Sequence, residues 1–440
     1  MDRVRRLISE SPAYEPLEGS VEDGDHDDPR RPPQFSRLEY SIFFLLGMAM
    51  LWAWNMFLAA APYFHDRFES NEWVATHYQS SILSVSTVTN LGTVYILARM
   101  QKNVSYPWRI TLSLLINCAV FTLLAFSTVV MKDISVGSYF AFLMIMVFGA
   151  SFATGLNQNG VFAYVAGFDR EEYMQAIMSG QGVAGVLPCL AQIISVLAVP
   201  RKAGQDGPPQ SSSKSAFSYF LTATVVSILT LLVFLHLLRR RPGVQLKASD
   251  EDEDGEDDQI DQKSVSLWTL FKKLRHLAFS IFMCFTATMM FFPVYTTEIM
   301  SVNDPAKSRM YDPSVFIPLG FLLWNIGDLG GRMLVVIPRF SLAHRPLIAS
   351  GFAIARFAFV PLYLLCNING LGAVVQSDLF YLFIVQLFFG ATNGYLASSC
   401  MMGASHRVSE DEREAAGGFM GMMLVGGLTA GSLLSFLVAR

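Results

Sequence analysis

Six long stretches of the chain contain no Asp, Glu, Lys or Arg: Tyr40–Phe64, Trp73–Ala98, Ile110–Met131, Ile134–Phe168, Tyr173–Pro200 and Ser215–Leu238. Each is mostly apolar. An α-helix needs about 20 such residues to cross a hydrocarbon layer of about 30 Å. Five further apolar stretches, near residues 277–297, 314–337, 346–366, 379–405 and 415–439, raise the predicted membrane helices to eleven. The pattern therefore predicts an all-α polytopic membrane protein. Gly and Pro recur inside the spans, as membrane helices allow. The first apolar run follows a polar tail and is too long for a signal-peptide core, so it is read as a retained span.

Two segments break the apolar pattern. Residues 1–39 hold 10 acidic and 6 basic residues with five prolines, and residues 239–276 hold the run Asp250–Asp258 and 8 basic residues. Such composition reads as a disordered polar tail and a loosely held acidic loop. The predicted organisation is a tail at 1–39, a six-helix bundle at 40–238, the loop at 239–276 and a five-helix bundle at 277–440.

Composition narrows the functional class. Only 15% of residues are charged and 52% are hydrophobic, against about 25% charged in an average soluble domain. A soluble multi-domain enzyme is excluded. The five cysteines fall in apolar stretches without CxxC spacing, so neither zinc nor a disulfide framework is indicated. HExxH, GxSxG and P-loop motifs are absent. No cofactor, nucleic-acid partner or direct ATP drive is indicated, and a polytopic membrane enzyme would need a catalytic cluster that the sequence does not show.

Basic residues set the expected orientation. With a cytosolic N-terminus, 22 of the 32 Lys and Arg residues lie in cytosolic segments and 8 on the opposite side; Arg332 and Arg356 lie within spans. The N-terminus and the acidic loop are predicted to be cytosolic, and the C-terminus lumenal or extracellular. Arg109 is counted among the cytosolic loop cations.

Ionisable and amide groups inside spans face cavities or partners, because lipid does not solvate them. The eighth span places Phe321, Asn325, Asp328 and Arg332 at helical spacing on one stripe, with Asp328 and Arg332 at i,i+4. That stripe serves either a structural ion pair between helices or a polar, ring-containing solute. The fourth span carries Asn157, Gln158 and Asn159, followed by Phe162, and either interhelical hydrogen bonds or a cavity would use these amides. In the fifth span, Gln181 lies in a run of small residues suited to close helix packing. Trp54 and Asn55 in the first span and Asn393 in the tenth are further cavity candidates. Arg356 has no carboxylate one turn away and is expected to snorkel to a cytosolic carboxylate or lipid phosphate.

These residues resemble the equilibrative nucleoside transporter family. The matching pieces are Trp54-Asn55, Asn157-Gln158 with Phe162, Met178-Ser-Gly-Gln-Gly182, Phe292-Pro293, Asn325-x-x-Asp328-x-x-x-Arg332 and Asn393-Gly-Tyr-Leu396, in order through nearly the whole membrane region. The segment Glu414–Phe419 looks most like fungal members. The resemblance implies six plus five helices in a major-facilitator-like architecture. It implies that Asp328 and Arg332 contact the ribose of a nucleoside such as uridine or adenosine, and that Gln158 contacts the base. Trp54, Leu58, Phe321 and Asn325 are implied cavity walls, with Asn55, Asn157, Phe162, Gln181, Phe292 and Asn393 as cavity or gating residues. One departure is Ala53, where the family commonly has Pro before Trp-Asn, which bears on the kink of the first span.

The implied activity is nucleoside transport, with nucleobases open as further substrates, by a monomer in a lipid bilayer. Vacuolar or other intracellular membranes are favoured, with the plasma membrane as the alternative. Facilitated diffusion is the expected mode; proton symport through Asp328 or Glu298 is the alternative. Another carrier of the major facilitator type is the competing class, but the loop Leu97-Ala-Arg99-Met-Gln-Lys102 is a poor match to its Gly-x-x-x-Asp-Arg pattern. The orientation has a direct consequence. The sequon Asn103-Val-Ser105 faces the cytosol, so endoglycosidase treatment of the protein expressed in a eukaryotic host should leave its gel mobility unchanged.

Overall fold

The computed structural model describes residues 35–100, 105–168, 170–198, 213–240 and 265–435. The acidic tail up to residue 34 and the acidic run of the loop lie outside the described residues, as does most of the sequon. Eleven described helices are long and apolar enough to cross a membrane. They are α1 (Arg37–Phe57), α2 (Glu72–Arg99), α3 (Tyr106–Val130), α4 (Val136–Ala166), α5 (Glu171–Ile194), α6 (Ser213–Arg240), α7 (Leu267–Glu298), α8 (Pro313–Leu334), α9 (Pro346–Leu364), α10 (Phe380–Arg407) and α11 (Glu410–Ser435). A short helix, Ala61–Phe68, follows α1. Among the described residues the extended pairing is one isolated bridge, Ile299 with Ile368.

Helix starts follow local capping chemistry. The Asn71 side chain accepts from the Val74 N–H, Ser105 from Trp108 and Asp312 from Ser314, which satisfies amides that the first turn leaves unpaired. α7 starts at Leu267, about ten residues before the apolar stretch predicted it. Ser266 caps it, and Leu270 and Leu274 are buried while Lys272 and Lys273 sit between them and Arg275 follows. The extension is amphipathic, so a search for charge-free runs passes over it. α10 opens with a π-helical stretch, Phe380–Leu387.

Packing separates the first six helices from the last five. α1 packs on α5 and α6, and α3 and α2 pack on α4; in the second set α7 packs on α11, α9 and α10, and α8 on α10. The sets meet where α5 lies on α8 and α11 crosses α4 and α2. Call the end that holds the start of α1 the near end. There a single apolar core runs through both sets, joining Phe43, Phe162 and Tyr173 to Leu274, Leu396 and Phe419. Toward the far end the core splits. One part, around Phe57, Phe64, Phe121 and Phe220, belongs to the first six helices. The other, around Phe291, Trp324, Tyr363 and Phe389, belongs to the last five. Among the described residues they are linked there by the small α5–α8 contact of Ile193, Val315 and Leu322 and by Arg309, which donates to the Val196 and Leu197 carbonyls. The halves are thus sealed together at the near end and part toward the far end.

α8 and α10 pack backbone to backbone, as α1 and α5 do. Gly327 and Gly331 on α8 and Gly390 and Gly394 on α10 repeat at four-residue spacing, so each helix offers a flat face to the other. A Cβ at Gly331 would lie 2.0 Å from the Ala391 carbonyl oxygen, and one at Gly390 2.0 Å from that of Trp324. Neither neighbour can yield without moving a helix. Gly331→Val should therefore destabilise the protein by roughly 3 kcal/mol or more, above the usual cost of overpacking. A thermal melt in detergent that matches wild type would contradict this packing.

Candidate functional site

The close approach of α8 and α10 sets Asn393 of α10 against the i,i+4 pair Asp328 and Arg332 of α8. Asp328 is 4% exposed and Arg332 3%. Arg332 Nε donates to Asp328 Oδ2 at 2.7 Å along one helix face, and Asn393 Nδ2 donates to Asp328 Oδ1 at 2.6 Å from α10. Arg332 also reaches across to α5. Its Nη1 donates to the Met178 carbonyl at 3.0 Å and to Gln181 Oε1 at 3.1 Å. Gln175 on α5 returns the contact, donating through Nε2 to the Arg332 carbonyl at 2.6 Å. A carboxylate and a guanidinium in a low-dielectric interior are tolerated only when paired and hydrogen-bonded, and these bonds meet that requirement. Both oxygens of Asp328 have one donor each and retain lone pairs, while Arg332 Nη2 makes no hydrogen bond among the described residues.

Behind the pair lies a second buried cation. Arg356, 1% exposed, donates through Nη1 to the Cys284 carbonyl at 2.5 Å and through Nη2 to the Phe389 carbonyl at 3.2 Å; Nε reaches Thr392 Oγ1 at 3.1 Å. Its guanidinium lies 4.4 Å from the Phe389 ring centroid. The snorkelling expected for Arg356 does not occur, because α7 and α10 supply carbonyls and an aromatic face inside the bundle. Arg109 is likewise not a loop cation. α3 begins before it, and it is buried, donating to Asn159 Oδ1 and, at 2.7 Å, to the Met100 carbonyl at the end of α2.

The other predicted residues divide by location. Gln181 joins the central group. Asn393 does too, and its side-chain Oδ1 accepts from Thr288 Oγ1 at 2.7 Å. Asn325 turns its amide against α5, where Nδ2 donates to the Phe321 carbonyl at 2.8 Å and Gly185 leaves room for its oxygen. Phe292 stacks on Trp324 with centroids 4.0 Å apart and meets Phe321 edge-on at 5.1 Å. This aromatic group stands on α7 and α8, farther from the near end than Asp328. Across the molecule, Trp54 stacks with Phe57 and borders a small cleft with Ser151 and Thr154. Asn55 donates to the Ala184 carbonyl at 2.8 Å, tying α1 to α5. Gln158 accepts from Asn90 Nδ2 at 3.4 Å. Asn157 is buried with both side-chain polar atoms unpartnered, and Phe162 is buried against Gly417 and Gly421 of α11. The Leu58 side chain lies outside the described residues. The structure thus unites Asp328, Arg332, Gln181 and Asn393 in one network, and sets Trp54 and Gln158 on the other half of the molecule.

Sequence reasoning missed Gln175, Thr288 and Cys284. A signal existed for the last two, since Ser280, Cys284 and Thr288 form an i,i+4 polar stripe on an otherwise apolar helix.

Eleven helices of membrane-spanning length, with Arg332 of the buried pair bonded across to α5, form an all-α polytopic fold of major facilitator architecture. The solved structures agree. A fucose transporter, FucP in the outward conformation, matches with a TM-score of 0.56 at 13% identity over 91% of each chain. The nucleoside transporter NupG matches with a TM-score of 0.53 at 13% identity, over 92% of this chain and 91% of its own. In sequence, residues 143–440 match the nucleoside transporter family. The chain is 30% identical to the nucleoside transporter FUN26 of Saccharomyces cerevisiae, over 92% of this chain and 84% of that protein. It is 29% identical to equilibrative nucleoside transporter 1 of Homo sapiens, over 92% and 98% respectively. The chain belongs to the equilibrative nucleoside transporter family.

The burial of the pair makes a stability prediction. Asp328→Leu strands the Arg332 charge and should cost about 3–5 kcal/mol, whereas the double variant Asp328→Leu/Arg332→Met should recover most of that loss. Thermal melts of both variants in detergent check this; equal melts for single and double variants would show that the two side chains are not energetically coupled.

Proposed function

We propose that this chain moves nucleosides, uridine and adenosine among them, across a membrane by alternating access, as facilitated diffusion down the nucleoside gradient. The observation that carries the reading is the Asp328–Arg332 pair, held at the junction of the halves with bonding capacity left over. A carboxylate accepts from ribose hydroxyls, and the uncommitted Nη2 of Arg332 donates to them. The Phe292, Trp324 and Phe321 rings offer apolar faces to a base. Trp54 and Leu58 would form the opposite wall, Gln158 would read the base edge, and Asn325 would close the α5 side. The relatives' printed names support the same substrate class.

In this reading residues 40–238 and 277–440 act as two bundles that rock about the site. Among the described residues the bundles share their large core at the near end, so in this reading solute enters from the far end. The excess of Lys and Arg in the near-end segments makes that end cytosolic, with the C-terminus lumenal or extracellular. The acidic loop then joins the bundles on the cytosolic side. The functional unit is a monomer in the bilayer, and a vacuolar or other intracellular membrane is its site. Arg332 stands 2.7 Å from Asp328 as its partner, which favours facilitated diffusion over symport.

Reconstituted vesicles and radiolabelled uridine and adenosine test the proposal. Asp328→Asn and Arg332→Lys each remove a charge-assisted bond worth about 1.5–3 kcal/mol, so uptake should fall by about 10- to 100-fold at equal protein per vesicle. Normal uptake by both variants would remove the pair from the site. Wild-type uptake should not respond to an imposed pH gradient; acceleration would assign proton symport instead.

A further inference from the structure

Asn393 offers Asp328 an N–H rather than a carbonyl, although an amide is nearly symmetric in shape and its two faces exchange by a half-turn. Two neighbours select the orientation: the Asp328 carboxylate can only accept, and a donor stands on the other side. Asn393 Oδ1 accepts from Thr288 Oγ1 at 2.7 Å and lies 3.5 Å from the Cys284 thiol, so Nδ2 is left to face Asp328 at 2.6 Å.

Thr288, however, has one hydroxyl hydrogen and a second acceptor in reach, the Cys284 carbonyl one turn back on α7 at 3.0 Å. Within a helix that back-bond is the usual resting place of a threonine hydroxyl. Here Arg356 on α9 donates to the same Cys284 oxygen at 2.5 Å, and its Nη1 lies 2.9 Å from the Cys284 sulfur. A carbonyl already bonded to a cation is a poorer acceptor for the hydroxyl, so the Thr288 hydrogen goes to Asn393. We propose that Asn393, Thr288 and Arg356 form a chain of positioning residues, in which the α9 guanidinium sets the Thr288 hydroxyl, the hydroxyl sets the Asn393 amide, and the amide holds Asp328 in its substrate-binding orientation. Every member is buried: Arg356, Cys284, Thr288, Asn393 and Asp328 are each no more than 4% exposed. The chain also gives the buried Arg356 a role that no carboxylate partner supplies. The inference rests on Asp328 as the ribose contact.

The charged and titratable groups around Asp328 are Arg332 on its own helix, Cys284 on α7 and Arg356 on α9; α10 brings Asn393 and α5 brings Gln181, both neutral. This makes pH a clean readout. In Asn393→Asp two carboxylates meet where an N–H stood, and one proton must be shared between them. Uridine uptake by proteoliposomes of this variant should be at least tenfold below wild type at pH 7.5 and recover severalfold at pH 5.5. A packing role alone would give a loss that is the same at both pH values. Thr288→Val should raise KM for uridine by about tenfold with Vmax little changed, and Thr288→Ser, which keeps the hydroxyl, should restore it. Arg356→Met should shift KM in the same direction as Thr288→Val. A wild-type KM in Thr288→Val, or a pH-independent loss in Asn393→Asp, overturns the positioning chain. Asp328→Asn separates the two ideas. If it loses uptake while Thr288→Val and Asn393→Asp behave otherwise than expected, the chain fails and the contact stands. If it transports normally, the contact itself fails.

Discussion

A charge in the middle of a membrane protein must be solvated by the protein. Asp328 and Arg332 impose that constraint on this chain, and five helices answer it. α8 supplies the pair, α5 supplies the Met178 carbonyl and Gln181, α10 supplies Asn393, and α7 and α9 hold Asn393 in place through Thr288, Cys284 and Arg356. An Asn side chain is short, so it reaches Asp328 only if the two backbones nearly touch. The glycines of α8 and α10 exist at the positions where any larger residue would hold the helices apart. Packing and polar chemistry here are one requirement.

The same residue that would greet a ribose also fastens the halves together. The Arg332 side chain and main chain both bond to α5, which belongs to the first six helices. The α5–α8 contact continues toward the far end through Ile193, Val315 and Leu322, while elsewhere the halves separate in that direction. Arg332 therefore lies in the α5–α8 seam, which runs along both halves. A ligand shifts a conformational equilibrium only by interacting differently with its states, and bonds that compete with Met178 and Gln181 for the guanidinium provide such a difference.

Much of this was legible beforehand. Apolar run length predicted eleven helices, and the i,i+4 placement of Asp328 and Arg332 predicted their pairing, because both depend only on helix geometry. The start of α7 was not legible, since Leu270 and Leu274 are interleaved with Lys and Arg and only burial reveals which face matters. Arg109 read as a loop cation because the start of α3 was placed after it. Arg356 was expected at the membrane surface, since its partners are main-chain carbonyls, which every residue has and no sequence pattern marks. Asn325 shares a stripe with Asp328 in sequence, yet its amide is spent on the Phe321 carbonyl and the α5 face.

By itself, the sequence determined the class of protein, the number and order of its spans, the charged pair in the eighth of them and a resemblance strong enough to name a family. These are properties of a chain read along one dimension, where the periodicity of a helix and the thickness of a bilayer are known in advance. Tertiary structure alone decided which bonds surround the pair, that Arg332 spans the two halves, that Asn393 is oriented from α7 and α9, and that the core is continuous at one end and divided at the other. Those depend on distances between residues as far apart as 154 positions along the chain, as in the bond from Arg332 to Met178, and such distances are set only when glycine-lined helices pack.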